Sequence, residues 1–151
     1  MNNAKLLDQL LSIGENLRTQ DNRITDAPMF VVQQKVRDYG YDDDYADNWE
    51  WISQKNGDPA VINNPRLAAR LDRIWEHGDQ DCLKDKYHRV GYRDRWEFVT
   101  ACFTEQGCKD YLAQDRHNLG REVRIYAAGS YRNVEFRVIR NFLMDMRVEN
   151  V

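Results

Sequence analysis

The chain has 151 residues, a formal charge of −3 and 42% hydrophobic against 31% charged residues, a balance of globular rather than disordered chains. That length suits one domain, residues 1–151, large enough to bury a core, and the acidic balance argues against bulk attraction to nucleic acid or an anionic membrane. Three cysteines, Cys82, Cys102 and Cys108, follow no framework spacing and read as reduced thiols of a cytoplasmic protein.

In chain order, Leu6, Leu10, Ile13 and Leu17, widened by Leu7 and Leu11, predict an amphipathic helix over 3–19. Asp8 and Glu15 interrupt its apolar pattern, so it does not read as a signal peptide, and no run of 18 apolar residues predicts a membrane span. A polar connection closed by Pro28 leads to a strand over Met29–Arg37, with Phe30, Val32, Gln34 and Val36 on one face. Residues 39–51 then gather three tyrosines, two tryptophans and five acids around Gly40. Trp49–Ile52 reads as a return strand, so the acidic run is expected to be the connection of a hairpin.

A turn cluster at Lys55–Pro59 precedes a helix over about 65–77, with Asn64 as cap, Pro65 in its first turn and Gly78 at its end. A polar loop over 79–85 leads to a strand at Tyr87–Tyr92. Asp94 is expected to cap a helix carrying Trp96, Phe98, Val99, Cys102 and Phe103, and Thr104 a second one through Tyr111 and Leu112 that stops at His117–Gly120. Val123–Ala127 reads as a last short strand. Ser130 is expected to cap a final helix whose apolar face is Val134, Val138, Phe142 and Met146, with Ile139 and Leu143 beside it. The mixed order predicts an α+β fold, a small, mostly antiparallel sheet of about four strands packed against four or five helices.

Charge is unevenly spread. Residues 38–58 carry seven acids against Lys55, whereas residues 116–147 carry seven arginines against Glu122, Glu135 and Asp145. These charges either interleave and pair in space, as surface ions commonly do, or form opposed patches.

Motifs for chemistry are missing. Cys102, Cys108 and His117 lack the close paired spacing of a zinc site. The chain has no G-x-S-x-G elbow, no phosphate-cradling glycine motif and no paired His-x-Ser/Thr, and the acids of 42–50 do not follow the calcium-loop pattern. No metal and no cofactor are expected, and the chain does not read as an enzyme. A thiol mechanism using Cys108, with its pKa lowered at a helix start and His117 as base, is retained as an alternative.

Two binding surfaces remain. Tyr41, Asp42, Asp43, Asp44, Tyr45, Asp47 and Trp49 could meet a basic partner, with rings as anchors and carboxylates as phosphate mimics. Lys84, Lys86, Arg89, Arg93 and Arg95, interleaved with Tyr87, Tyr92 and Trp96, and extended by Arg121, Arg124, Arg132 and Tyr131, suit a nucleic-acid backbone with base stacking.

Three stretches, Phe30–Lys35, Trp96–Leu112 and Arg124–Asn133, resemble a group of small proteins encoded by bacteriophages and prophages. The resemblance implies an accessory protein in the bacterial host cytoplasm. Its expected partner is a host protein or protein–nucleic-acid complex, such as a restriction or CRISPR effector that it would inhibit by stoichiometric binding, with direct nucleic-acid binding as the alternative. It carries over no catalytic residue; the acidic balance and the lack of a long apolar run predict no membrane partner.

Overall fold

A computed structural model describes residues 2–42, 44–53, 60–78, 83 and 86–150. The expectations at Asp43, Lys55–Pro59, Cys82 and Lys84, and most of the 79–85 loop, lie outside the described residues. The elements are α1 (Asn3–Thr19), β1 (Pro28–Tyr41), β2 (Asn48–Ser53), β3 (Ala60–Val61), α2 (Pro65–Glu76), β4 (Tyr87–Cys102), α3 (Glu105–Asp115), β5 (Val123–Gly129) and α4 (Val134–Asp145). The fold is α+β. Among the described residues it has four α-helices and a five-stranded sheet in the order β3-β2-β4-β1-β5, and the β1–β5, β2–β3 and β2–β4 ladders are antiparallel. The chain divides into two compact units, Met1–Lys35 with Trp96–Val151, and Val36–Arg95, and both β1 and β4 run through the two.

The sheet corrects two expectations. β1 and β2 are not a hairpin, because β4 lies between them, pairing Asn48 with Tyr92 and Ser53 with Tyr87. The helix expected after Asp94 is the second half of β4. Trp96, Phe98, Val99 and Thr100 are aromatic or β-branched and favour a pleated surface, and Asp94 is bound to Arg37 instead of capping a helix.

In the unit formed by the two chain ends, Phe30 and Val32 of β1 and Cys108 of α3 are the buried centre. Val99, Cys102, Tyr111, Leu112, Leu119, Ile125 and Ala127 pack on them. The Thr104 side chain accepts from Gly107 N at 3.0 Å and caps α3, as its sequence position suggested. Helices α1 and α4 pack together at Gly14, where a methyl group would overlap the Leu143 carbonyl oxygen. Arg18 secures the same contact by donating from Nη1 to the Met144 and Met146 carbonyls at 3.0 and 3.1 Å, which satisfies acceptors left free at the end of α4.

The start of α4 differs from expectation. Asn133, not Ser130, is its cap, accepting from Phe136 N at 3.1 Å, while the Ser130 hydroxyl donates to the Ala27 carbonyl beside the β1–β5 ladder. Its buried face also differs from expectation, except that Leu143 is buried as expected. Phe136, Arg140 and Leu143 are buried, and Phe136 stacks on Phe103 with ring centroids 4.9 Å apart. Val134, Val138, Ile139 and Phe142, expected in the core, are exposed.

In the 36–95 unit, α2 covers β2. Asn64 caps the helix by accepting from Arg66 N and Leu67 N, and Gly78 follows it at φ +78°, a conformation glycine takes without cost. Trp51, Leu71 and Leu83 form the buried cluster. The Trp51 indole donates to Asp72 at 2.7 Å and meets the Trp75 ring edge-on at 6.0 Å.

Candidate binding surfaces

The acidic–aromatic segment is a tight turn held against β4. Gly40 enters it at φ +94°, Tyr45 N and Ala46 N both donate to the Asp42 carbonyl, and Asp47 N donates to the Tyr92 carbonyl at 3.0 Å. The close approach depends on Gly91, since a Cβ there would overlap the Tyr41 carbonyl oxygen and lie 2.8 Å from Ala46 Cβ. Tyr41, Asp42, Asp44, Tyr45 and Asp47 are exposed, Tyr45 by 69%, and Trp49 is half-buried.

Around this turn the acidic and basic residues that the sequence offers as separate surfaces meet and pair. Arg37 grips Asp94 with two nitrogens, Nε at 2.8 Å and Nη2 at 3.0 Å, and also bonds Glu50. Its guanidinium lies 3.7 Å from the centre of the Tyr92 ring. The Asp94 hydrogen bond holds the Arg37 pKa above the usual arginine range, ahead of the opposing effect of burial. Tyr39 donates to Glu50 at 2.7 Å and meets Tyr92 edge-on, and burial together with that bond raises its pKa. Arg95 bonds Asp38 at 2.8 Å, Arg93 reaches Asp47 at 3.4 Å, and Arg89 lies over the rings of Trp49 and Trp75.

Most of the 86–95 cations are therefore engaged by acids or rings of the same unit, which lowers their availability to a phosphate backbone. Lys86 is exposed. Asp42 and Asp44, at the tip of the turn, form no ion pair among the described residues, and they remain as free negative charge above a neutralised frame.

The basic residues of the other unit do not gather into one patch. Arg124 joins an aromatic cluster, with its guanidinium 4.1 Å from the Trp96 ring centre and 5.3 Å from that of Tyr126, while Lys35 approaches Trp96 at 5.7 Å and binds Glu122 at 2.9 Å. Phe98 lies two residues from Trp96 along β4, hence on the same face, and is 62% exposed. The sequence pattern suggests a helix at Phe98 and gives Tyr126 no prominence. Alternation along two strands was the signal that would have found both. Arg121 is exposed, and Arg132 lies over Tyr131 beside an open groove of about 470 Å³ that also includes Met29, Ser130 and Asn133.

The thiol reading meets an obstacle. Cys108 is fully buried, its Sγ donates to the Phe30 carbonyl at 3.4 Å, and burial pushes its pKa up to about 12, where a helix start was expected to lower it. At neutral pH it is a protonated core residue with little thiolate to act as nucleophile. His117 sits in a short 3₁₀ turn and is exposed. Among the described residues no three His, Cys, Asp or Glu side chains are placed to hold a metal ion, and no helix is long and apolar enough to cross a membrane.

No family model, curated protein or solved structure matches this chain.

Proposed function

We propose that the protein acts by stoichiometric, non-covalent binding, presenting the Tyr41–Trp49 turn to a basic surface of a partner macromolecule. The observation that carries this reading is the contrast at the turn. Asp38, Asp47, Glu50 and Asp94 are paired with arginines, whereas Asp42 and Asp44 are exposed and have no ion pair among the described residues, beside the exposed rings of Tyr41 and Tyr45. Unpaired carboxylates on a well-anchored turn steer association with a cationic groove, and tyrosines supply contact area at low entropic cost. The resemblance to phage and prophage accessory proteins favours a nucleic-acid-handling defence complex of the bacterial cytoplasm as the partner class, since a channel that holds phosphates would accept this turn. Affinity capture from phage-infected cells identifies the partner. Asp42→Asn with Asp44→Asn is then expected to weaken binding at least tenfold and flatten its salt dependence, whereas unchanged affinity and salt slope remove the turn from the interface.

A second reading is favoured by the stacking of Arg124 on both Trp96 and Tyr126 next to the exposed Phe98. Rings and a guanidinium on a sheet face can stack the bases of single-stranded nucleic acid. Titration of tryptophan fluorescence with single-stranded DNA and RNA at low salt tests it. Binding lost in Phe98→Ala and Arg124→Ala supports the reading, and a flat titration removes it.

A further inference from the structure

The exposed face of α4 is unusual in amount and order. Val134 is 69% exposed, Val138 61%, Ile139 50% and Phe142 65%, and Tyr131 just before the helix is 58% exposed. The spacing 134, 138, 142 with 139 beside it puts these helical residues on one continuous stripe, turned away from the buried Phe136, Arg140 and Leu143. With roughly 150–250 Å² available per aromatic ring and somewhat less per aliphatic side chain, the stripe leaves about 600 Å² of mostly apolar side-chain surface in water. A stable interface takes about 800 Å² per partner, so the stripe and a narrow rim around it reach that size.

We propose that this face is a self-association surface, on which two copies of the chain pair through antiparallel α4 helices about a twofold axis near Val138. The charges at the ends of the stripe select a second copy as the occupant. Arg132 precedes the helix, Asp145 closes it, both are exposed, and neither has an ion pair among the described residues. The two positions lie equally far from a point between Val138 and Ile139. Antiparallel pairing therefore brings Asp145 of each copy to Arg132 of the other, and sets that carboxylate at the positive N-terminal end of the partner helix. The same register lays Val138 against Ile139 and sets Phe142 opposite Glu135, next to Val134, in the first turn of the other copy. A surface complementary to itself under a twofold rotation is what an isologous dimer requires.

Sedimentation velocity of the full chain across a wide concentration range tests the proposal. The expected result is a reversible dimer whose dissociation constant rises at least about a hundredfold in Val138→Glu and in Phe142→Glu. Both side chains are exposed, so the variants are expected to keep the wild-type melting curve. Arg132→Glu or Asp145→Lys alone is expected to weaken the dimer, and the two together to restore it, a rescue that a generally sticky surface would not give. Val138→Cys is expected to cross-link to itself on mild oxidation, with Asn141→Cys slower. A chain that stays monomeric at hundreds of micromolar overturns the proposal. So does a dimer indifferent to Val138→Glu, or one that the paired charge reversal fails to restore.

Discussion

The turn at residues 41–47 and the outer face of α4 are both exposed, but they are built from opposite materials. Around the turn, charge is abundant and mostly paired, with Arg37, Arg93 and Arg95 holding Asp94, Glu50, Asp47 and Asp38, while Asp42 and Asp44 at the tip have no ion pair among the described residues. On the outer face of α4 the exposed side chains of Val134, Val138, Ile139 and Phe142 are aliphatic and aromatic, and the charges of Glu135, Arg137 and Asp145 lie around them. Binding at the first surface should be fast, steered and sensitive to salt, and binding at the second should hold or tighten as salt rises. Salt thus separates them: a partner lost and a dimer retained at high ionic strength is the expected pattern, and the reverse would break the comparison.

The largest effects are expected where each surface is anchored. Gly14→Val drives a side chain into the Leu143 backbone and should cost about 3 kcal/mol in urea unfolding, because the carbonyl it meets belongs to a packed helix that cannot step aside. An equal stability for the variant would mean that α1 and α4 do not meet as described. For the turn, Arg37→Met strips two carboxylates and a tyrosine ring of their common cation. The side chain is one-third exposed, which dilutes the loss, and about 2 kcal/mol is expected, with Arg37→Lys recovering only part because an ammonium cannot reproduce the two-nitrogen grip on Asp94. Gly91→Ala should act more locally by displacing Tyr41 and Ala46, and so weaken partner binding more than it lowers the melting temperature.

Local signals in the sequence were reliable where they depended on neighbours along the chain. Asn64 with Pro65, Gly78 and Thr104 mark their helix ends because a cap or a left-handed residue acts within a few positions. The leucines of residues 3–19 likewise specify α1. Strand order was not legible, since nothing in residues 38–52 reveals that β4 separates the two strands that flank them. Residues 94–103 place apolar side chains at intervals that a helix and a strand can both use, and pairing with β1 decides between them. The final helix misleads for a different reason. It is apolar on two sides, and the longer stripe, 134–138–142, points to the core, whereas the buried face includes an arginine. The Asp43 and Lys84 candidates aside, the acidic and basic sets were identifiable as residues, but their mutual pairing is a product of the sheet.

That buried arginine gives a smaller and oppositely signed effect. Arg140 is 6% exposed, its Nε has no hydrogen-bond partner among the described residues, and burial lowers its pKa. Replacing an uncompensated buried charge by an apolar side chain of similar length commonly stabilises, so Arg140→Met is expected to raise stability by about 1 kcal/mol. A loss instead would show that the rest of the guanidinium contributes more than its desolvation costs.

The smallest effect separates core from surface through pH. Cys108 keeps its proton in the folded chain up to about 12, while the same thiol in the unfolded chain loses it near the ordinary value of a free cysteine. Below that ordinary value both states are protonated and the residue adds no pH dependence. Above it the unfolded chain binds fewer protons than the folded one, so stability falls as pH rises toward the folded value. The expected result is an alkaline decline in unfolding free energy that is shallower in Cys108→Ala, with the two chains parallel at neutral pH. Alkylation should follow the same logic, with Cys108 unreactive in the native state and modified only as the chain unfolds. Rapid alkylation of Cys108 in the native state at neutral pH would place the thiol at the surface and reopen the reading in which it is a nucleophile.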